Sequence, residues 1–128
     1  MSSRIVALGL MIALSGCGKH LYSRDDLTVT LSTHHINLRW GRLGNAALTV
    51  KPEMRAAFLE AWGKRAGQLE LQEIEVAAVV LTPDGDAADV MVNITYVDRE
   101  NMSVKTEAVA ERWVRTEDGW IAEKPAVL

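Results

Sequence analysis

Hydrophobic and polar positions divide the chain after its first sixteen residues into a helical part and a β part. Apolar residues recur at helical spacing at Leu27, Leu31 and Leu38, which predicts a first helix over residues 24–40. Ser23 is expected to cap it, because a serine side chain can accept from the free N–H groups of a first turn. Gly41 and Gly44 interrupt the pattern, and a short second helix is predicted over residues 45–50.

A third helix is predicted from Pro52 to Arg65, since proline is favoured in a first helical turn. Met54, Phe58 and Trp62 recur every fourth residue and are expected to face a sheet, whereas Arg55 and Lys64 are expected to face water.

The remaining chain alternates between apolar and polar residues, the pattern of half-buried strands. Four strands are predicted, over residues 69–81, 88–96, 102–115 and 120–123. The alternation of the first strand changes phase at Gln72 and Glu73, which predicts a bulge there. Its inward residues are expected to be Leu69, Leu71, Ile74, Val76, Ala78 and Val80.

Helices followed by strands predict one α+β domain over residues 23–128, with the helices packed on one face of a four-stranded antiparallel meander. A chain of 128 residues is too short for two ordinary domains. The net charge of −3 comes from interspersed acids and bases, so no basic surface indicates nucleic acid as a partner.

The first residues have the order of a secretory signal. Arg4 precedes an apolar run of residues 5–14, which is too short to span a bilayer. The segment Leu14-Ser15-Gly16-Cys17 then resembles the lipobox of bacterial lipoproteins. An ordinary secretory signal followed by a chance cysteine, or a buried N-terminal helix, is the alternative.

The lipobox resemblance implies a signal peptide over residues 1–16, cleavage between Gly16 and Cys17, and lipid on the Cys17 sulfur. Residues 17–22 would then be the lipidated cysteine and a short tether. Gly18 stands where lipoproteins retained in the inner membrane commonly have aspartate. The expected location is therefore the cell envelope, on the outer membrane facing the periplasm if the organism is Gram-negative.

Several short motifs together resemble small bacterial envelope lipoproteins of unassigned role. They are Leu38-Arg39-Trp40-Gly41, residues 46–53, residues 55–59, Glu111-Arg112-Trp113 and Asp118-Gly119-Trp120. The resemblance implies a nuclear-transport-factor-two-like cone, in which a curved sheet wraps over N-terminal helices, with a cystatin-like arrangement as the near alternative. This fold supports several functions and does not specify one.

Candidate chemistry is sparse. His34 and His35 are adjacent on a helix, so their side chains diverge and are not expected to share a metal ion; a partly exposed helix face is expected instead. Tyr96, Asp98 and Glu107 are the candidates for an acid or base inside a cone, with Tyr96 expected in the core and Glu107 in water. No pair among them has a spacing that catalysis demands, so we expect no enzyme, no metal and no cofactor.

The sequence leaves two functions open. The first is a lipid-anchored, non-enzymatic accessory protein that docks on an envelope protein or on a second copy of itself. The second is a protein that binds a small ligand between sheet and helices. The predicted interior has few polar groups, which favours docking, and all four tryptophans are expected in the core.

Overall fold

The computed structural model describes residues 18–128, and their side chains from residue 26 onward. The helices are α1 (Gly18–Arg39), α2 (Leu43–Ala47) and α3 (Arg55–Arg65), with a 3₁₀ turn at Pro52–Met54 directly before α3. The strands are β1 (Leu69–Leu81), β2 (Ala87–Asp98), β3 (Ser103–Thr116) and β4 (Gly119–Lys124). The predicted α+β order is confirmed.

Helix α1 packs along the sheet through one face. Leu27, Leu31 and Leu38 are buried, as their spacing predicted. The predicted start of the helix is wrong, because α1 already includes residues 18–23 and Ser23 lies inside it. Those residues carry no helical spacing of apolar side chains, so no sequence pattern distinguished them from a tether.

Helix α2 and the start of α3 differ from the predictions. Helix α2 ends at Ala47, and Val50 instead forms a parallel bridge with Ala122 of β4. Of the predicted α3 stripe, Phe58 and Trp62 are buried, but Met54 is 39% exposed. Met54 lies in the 3₁₀ turn, which is wound more tightly than an α-helix. Its side chain therefore does not fall in line with Phe58 and Trp62 of α3.

The partners of α3 lie on α1 and on the C-terminal segment. The ring centroids of Phe58 and His34 lie 5.7 Å apart, and Trp62 Nε1 donates to the carbonyl oxygen of Ala126 at 3.0 Å. Lys64 is exposed, as predicted, and pairs with Glu60. Arg55 is not free in water: it is half-buried and donates to the carbonyl oxygens of Val50 and Leu48.

The sheet is an antiparallel meander in the order β1-β2-β3-β4. Strand β2 alternates cleanly, and its inward residues are buried: Ala88, Val90, Val92, Ile94 and Tyr96. Glycines with positive φ lie where β1 turns into β2 and where β3 turns into β4, Gly85 at 74° and Gly119 at 113°. Glycine adopts this backbone without the clash that a Cβ would cause.

Strand β1 contains two irregularities where one was predicted. The register shifts between Leu71 and Glu73, which confirms the predicted bulge, and again between Val76 and Ala78. The second shift reverses the inward face, so the prediction for the end of the strand is wrong. Val79 is half-buried there, whereas Val80 is 64% exposed.

The two edges of the sheet differ. The β4 edge is covered by the segment around Val50, where Lys51 N donates to the oxygen of Ala122 at 2.9 Å and Ala122 N donates to the oxygen of Thr49 at 2.7 Å. Strand β1 forms the opposite edge and pairs with β2 alone among the described residues.

Candidate functional site

The two adjacent histidines of α1 are both buried, which contradicts the predicted partly exposed face. His34 is fully buried and His35 is 5% exposed. Their ring centroids lie 5.5 Å apart with planes turned by 71°, so the rings diverge as expected. The prediction failed because both side chains belong to the face that α1 turns toward the sheet.

His35 forms a buried pair with Glu111 of β3. His35 Nε2 lies 2.9 Å from Glu111 Oε1 and 3.1 Å from Oε2, and Trp113 Nε1 donates to Oε1 at 3.2 Å. Burial alone would raise the pKa of Glu111, but the hydrogen bond and charge of His35 outweigh it, and the pKa is lowered. Glu111 is therefore a carboxylate at neutral pH, and His35 Nε2 carries the proton that it donates.

His34 has a different environment. Its Nδ1 lies 3.0 Å from the carbonyl oxygen of Ala46, which can only accept, and 2.8 Å from Thr49 Oγ1. Its Nε2 is buried without a hydrogen-bond partner among the described residues. Burial lowers the pKa of His34 to about 4, with the charge of Glu111 opposing the shift. His34 is therefore neutral at physiological pH.

A pocket of about 440 Å³ lies between α1 and β1, and His35 contributes to its wall. Its apolar lining comes from both elements: Leu31, Ile36, Ile74, Val76 and Val79. Glu111 does not line this pocket, whereas its partner His35 does. Because Nε2 is engaged by Glu111, Nδ1 is the ring nitrogen that remains for a bound molecule.

Arg39 and Trp40 lie at one end of this pocket and also line a second hollow of about 280 Å³. The guanidinium carbon of Arg39 is 4.5 Å from the Trp40 ring centroid, within the range of a cation–π contact. Arg39 Nη1 also donates to the carbonyl oxygen of Leu71, beside the first bulge, at 3.2 Å. Arg39 thus crosses from α1 to β1 between the two hollows.

The acid and base candidates named from the sequence do not share this pocket. Tyr96 is buried and borders a third, polar hollow of about 530 Å³ together with Asp98 and Lys105. Lys105 Nζ donates to Asp98 Oδ2 at 3.1 Å, and this hydrogen bond is the main cause that lowers the pKa of Asp98. Glu107 is exposed, as predicted.

Trp62, Trp113 and Trp120 are buried, but Trp40 is 65% exposed, which contradicts its predicted core position. Trp40 directly follows the last residue of α1 and borders two of the hollows between α1 and β1. Within residues 18–128 no group of three or more His, Cys, Asp or Glu side chains is placed to hold a metal ion. The lipobox residues Leu14, Ser15, Gly16 and Cys17 lie outside the described residues.

The comparisons with solved structures agree on the architecture. An NTF-2 like protein of unknown function from Shewanella oneidensis superposes with a TM-score of 0.57 at 14% identity, over 77% of this chain and 93% of that one. A cystatin-like protein of unknown function from Nostoc punctiforme gives 0.52 at 13% identity, over 77% and 84%. The chain has the nuclear-transport-factor-two-like fold.

A third structure with this fold, a candidate polyketide cyclase from Xanthomonas campestris, gives a TM-score of 0.60 at 10% identity, over 78% of this chain and 90% of that one. No protein-family model matches the chain, and no curated protein matches it. At such identities the likeness establishes the fold alone, so function has to be argued from the site.

Nothing in the sequence pattern paired His35 with Glu111, which lies 76 residues later. One feature of the sequence does indicate a buried partner for Glu111. The alternation of β3 placed Glu111 on the same face as Trp113, and both are buried. A glutamate on an inward face requires a buried partner, and His35 lies beside the apolar stripe of α1.

Proposed function

We propose that this protein is a lipid-anchored protein of the cell envelope that binds a small, mainly apolar molecule between α1 and β1. The observation that carries the proposal is the pocket of about 440 Å³ with the buried His35–Glu111 pair at its wall. A concave, largely apolar site with a few placed polar groups is the usual form of a small-molecule site. The interior thus supports ligand binding over the docking role that the sequence favoured.

His35 gives the pocket a defined polar feature. With Nε2–H donated to Glu111, Nδ1 is the ring nitrogen of His35 that is left to form a hydrogen bond with a ligand. A ligand with a hydroxyl group would satisfy it, while the ligand's apolar part lies against Ile74, Val76 and Val79.

We propose binding without turnover. The other titratable groups that line the pocket are Arg39, which is half-buried, and Glu73, which is exposed. Glu111 is bonded to His35 but does not line the described pocket, so His35 has no second acid or base facing the pocket on its buried wall. General acid–base catalysis ordinarily positions such groups around the reacting atoms.

Two valines of β1 provide a matched test with the apolar dye N-phenyl-1-naphthylamine. Val76 lines the pocket and Val80 does not, although both belong to the same strand. We expect Val76→Trp to fill the pocket and reduce dye affinity by about tenfold or more, the effect of losing roughly 1.4 kcal/mol of binding. Val80→Trp should bind dye as the native protein does, and equal affinities for both variants would contradict the proposal.

The anchor is supported by the lipobox at residues 14–17. No helix within residues 18–128 is long and apolar enough to cross a membrane. Cys17→Ser should leave an uncut precursor that takes up no lipid, because the hydroxyl of serine is a far weaker nucleophile than a thiol. Metabolic labelling with a fatty-acid analogue measures this, and label on the variant would rule out lipidation at Cys17.

Docking on an envelope protein is the second candidate. The outer face of the sheet carries Met91, which is flanked in register by Ala78 and Ala110, and all three are exposed. The exposed Met91 suits a protein contact, because methionine is enriched in such interfaces. Dye binding that neither valine variant changes would favour this role.

A further inference from the structure

Helix α1 has two apolar faces. One is buried against the sheet and carries Leu27, Leu31 and Leu38. The other is defined by Val29, Ile36 and Trp40, which are 65%, 50% and 65% exposed. Their spacings of seven and four residues align them on one side of the helix at about 100° per residue, and Ile36 and Trp40 also border the pocket between α1 and β1. We name these three residues the outer stripe.

We infer that the outer stripe lies in the interfacial layer of the membrane that holds the lipid anchor, so that α1 rests along the bilayer surface. The inference rests on the proposed lipidation of Cys17. It adds a second contact with lipid, formed by the folded domain.

The position of the proposed anchor favours a lipid surface over other occupants of the stripe. Cys17 is joined directly to Gly18, the first residue described in α1. At about 1.5 Å per residue, Val29 lies roughly 17 Å and Trp40 roughly 33 Å from Gly18 along the helix. The stripe runs parallel to the helix axis, so one orientation brings its whole length to the plane in which the acyl chains are inserted.

The side chains at the C-terminal end of the outer stripe suit the boundary between lipid headgroups and acyl chains. Tryptophan is enriched at that depth because its ring is apolar and its N–H is polar. Arg39 lies against the Trp40 ring, and the guanidinium nitrogens that do not donate to Leu71 can bind phosphate groups while the methylene groups remain in contact with apolar surface. Arg42 follows two residues later.

Acidic residues limit how deep the helix can lie. Asp26 precedes Val29, and Glu73 and Glu75 lie on the neighbouring edge strand. A carboxylate is costly within the hydrocarbon layer, so the contact is confined to the interface, where amphipathic helices bury an apolar face by about 5–10 Å.

The orientation of α1 on the bilayer also determines where the mouth of the pocket lies. Ile36 and Trp40 belong to the outer stripe and also line the pocket, and Arg39 lies between them. The mouth of the pocket would therefore open at the lipid surface, where an apolar ligand dissolved in the membrane reaches it without crossing water.

The tryptophans of the chain provide the test. Three of the four are buried, so the fluorescence that is lost on Trp40→Phe reports on Trp40. The mature chain, purified from bacterial membranes in detergent, is reconstituted into vesicles of phosphatidylcholine with or without bromine on the acyl chains. We expect brominated lipid to lower the Trp40 signal about twofold or more, because bromine quenches only at close approach and the stripe lies at interfacial depth.

A matched pair of variants separates the stripe from the anchor. Ile36→Ser should abolish most of the quenching, whereas Met102→Ser, at a residue 73% exposed in the β2–β3 turn, should leave it unchanged. Flotation of the vesicles measures anchoring independently. Protein that floats without quenching of Trp40 would overturn the stripe inference alone, and protein that does not float would overturn the anchor and the inference with it. Protection of Trp40 from aqueous acrylamide that rises with protein concentration, without bromine quenching, would assign the stripe to a second copy.

Discussion

Adjacent histidines of α1 serve different roles because their ring nitrogens meet different partners. His35 donates to an ionised carboxylate, Glu111, and lines the pocket between α1 and β1. His34 has a carbonyl oxygen at Nδ1 and aromatic rings around it, with the Trp113 ring centroid 5.3 Å away. Protonating His34 would therefore place a second buried charge in a region whose carboxylate is already paired.

The lowered pKa of His34 predicts a loss of stability in acid. The pKa falls from 6.5 in the unfolded chain to about 4 in the folded one, so the unfolded chain binds the proton first as the pH drops. The contribution of His34 is complete above about pH 6.5 and is lost as the pH falls toward 4. At 1.36 kcal/mol per pKa unit, the free energy of unfolding should decline by about 3 kcal/mol over this window.

Urea titrations at pH 7 and pH 4.5 measure this decline, with His34→Gln as the comparison. The glutamine amide can still donate to Ala46 but does not titrate, so the variant should lose less stability between the two pH values. The lowered pKa of Glu111 acts in the same direction but only below its ordinary value of 4.5. An identical pH dependence in both proteins would show that His34 is not buried in its neutral form.

At the scale of elements, α3 is held by two different kinds of contact. Phe58 and Trp62 are buried against α1 and the C-terminal segment. Arg55, at the start of the helix, donates to two carbonyl oxygens of the segment that precedes the 3₁₀ turn. The helix is therefore fixed by apolar packing along its length and by hydrogen bonds at its first residue.

These contacts predict unequal losses in one urea titration. Phe58→Ala should lower the free energy of unfolding by about 3–5 kcal/mol, because it removes buried surface and leaves a cavity. Arg55→Ala should cost about 1 kcal/mol, since it removes two hydrogen bonds from a partly exposed site. Lys64→Ala should have no measurable effect on the midpoint, and equal midpoints for Phe58→Ala and Lys64→Ala would contradict the assigned face of α3.

The elements differ in how well their sequences specify them. Strand β2 was predictable because apolar residues recur at every second position from Ala88 to Tyr96, and Met91 is the only apolar residue among those between them. The end of β1 was not, since residues 76–81 are all apolar and alternation cannot indicate which of Val79 and Val80 faces inward. The His35–Glu111 pair was missed for another reason: a contact between distant residues has no local pattern.

At the scale of the molecule, the described core begins at Leu27 and includes the C-terminal segment. Ala126 is buried, and Leu128 accepts from Arg65 Nε at 3.1 Å. Leu27 is the first buried apolar residue among the described side chains, which begin at Asp26.

Residues 23–128 made without the preceding segment should therefore fold cooperatively in solution. Their 106 residues retain all the buried side chains described, and a domain of this size can bury an adequate core. A thermal melt followed by circular dichroism should show one transition with signals from both helix and sheet. A gradual loss of signal without a midpoint would mean that the omitted part of α1 is needed for folding.

The uncovered edge of β1 bears on how the protein avoids aggregation. Thirteen residues of edge strand would ordinarily offer a template onto which another extended chain could add. The two register shifts break the run of regularly spaced backbone groups, and Glu70, Glu73 and Glu75 are exposed along it. A second copy approaching in register would meet like charges and a kinked backbone. Straightening and neutralising this strand should therefore convert a dispersed protein into one that assembles into β-rich fibres at high concentration.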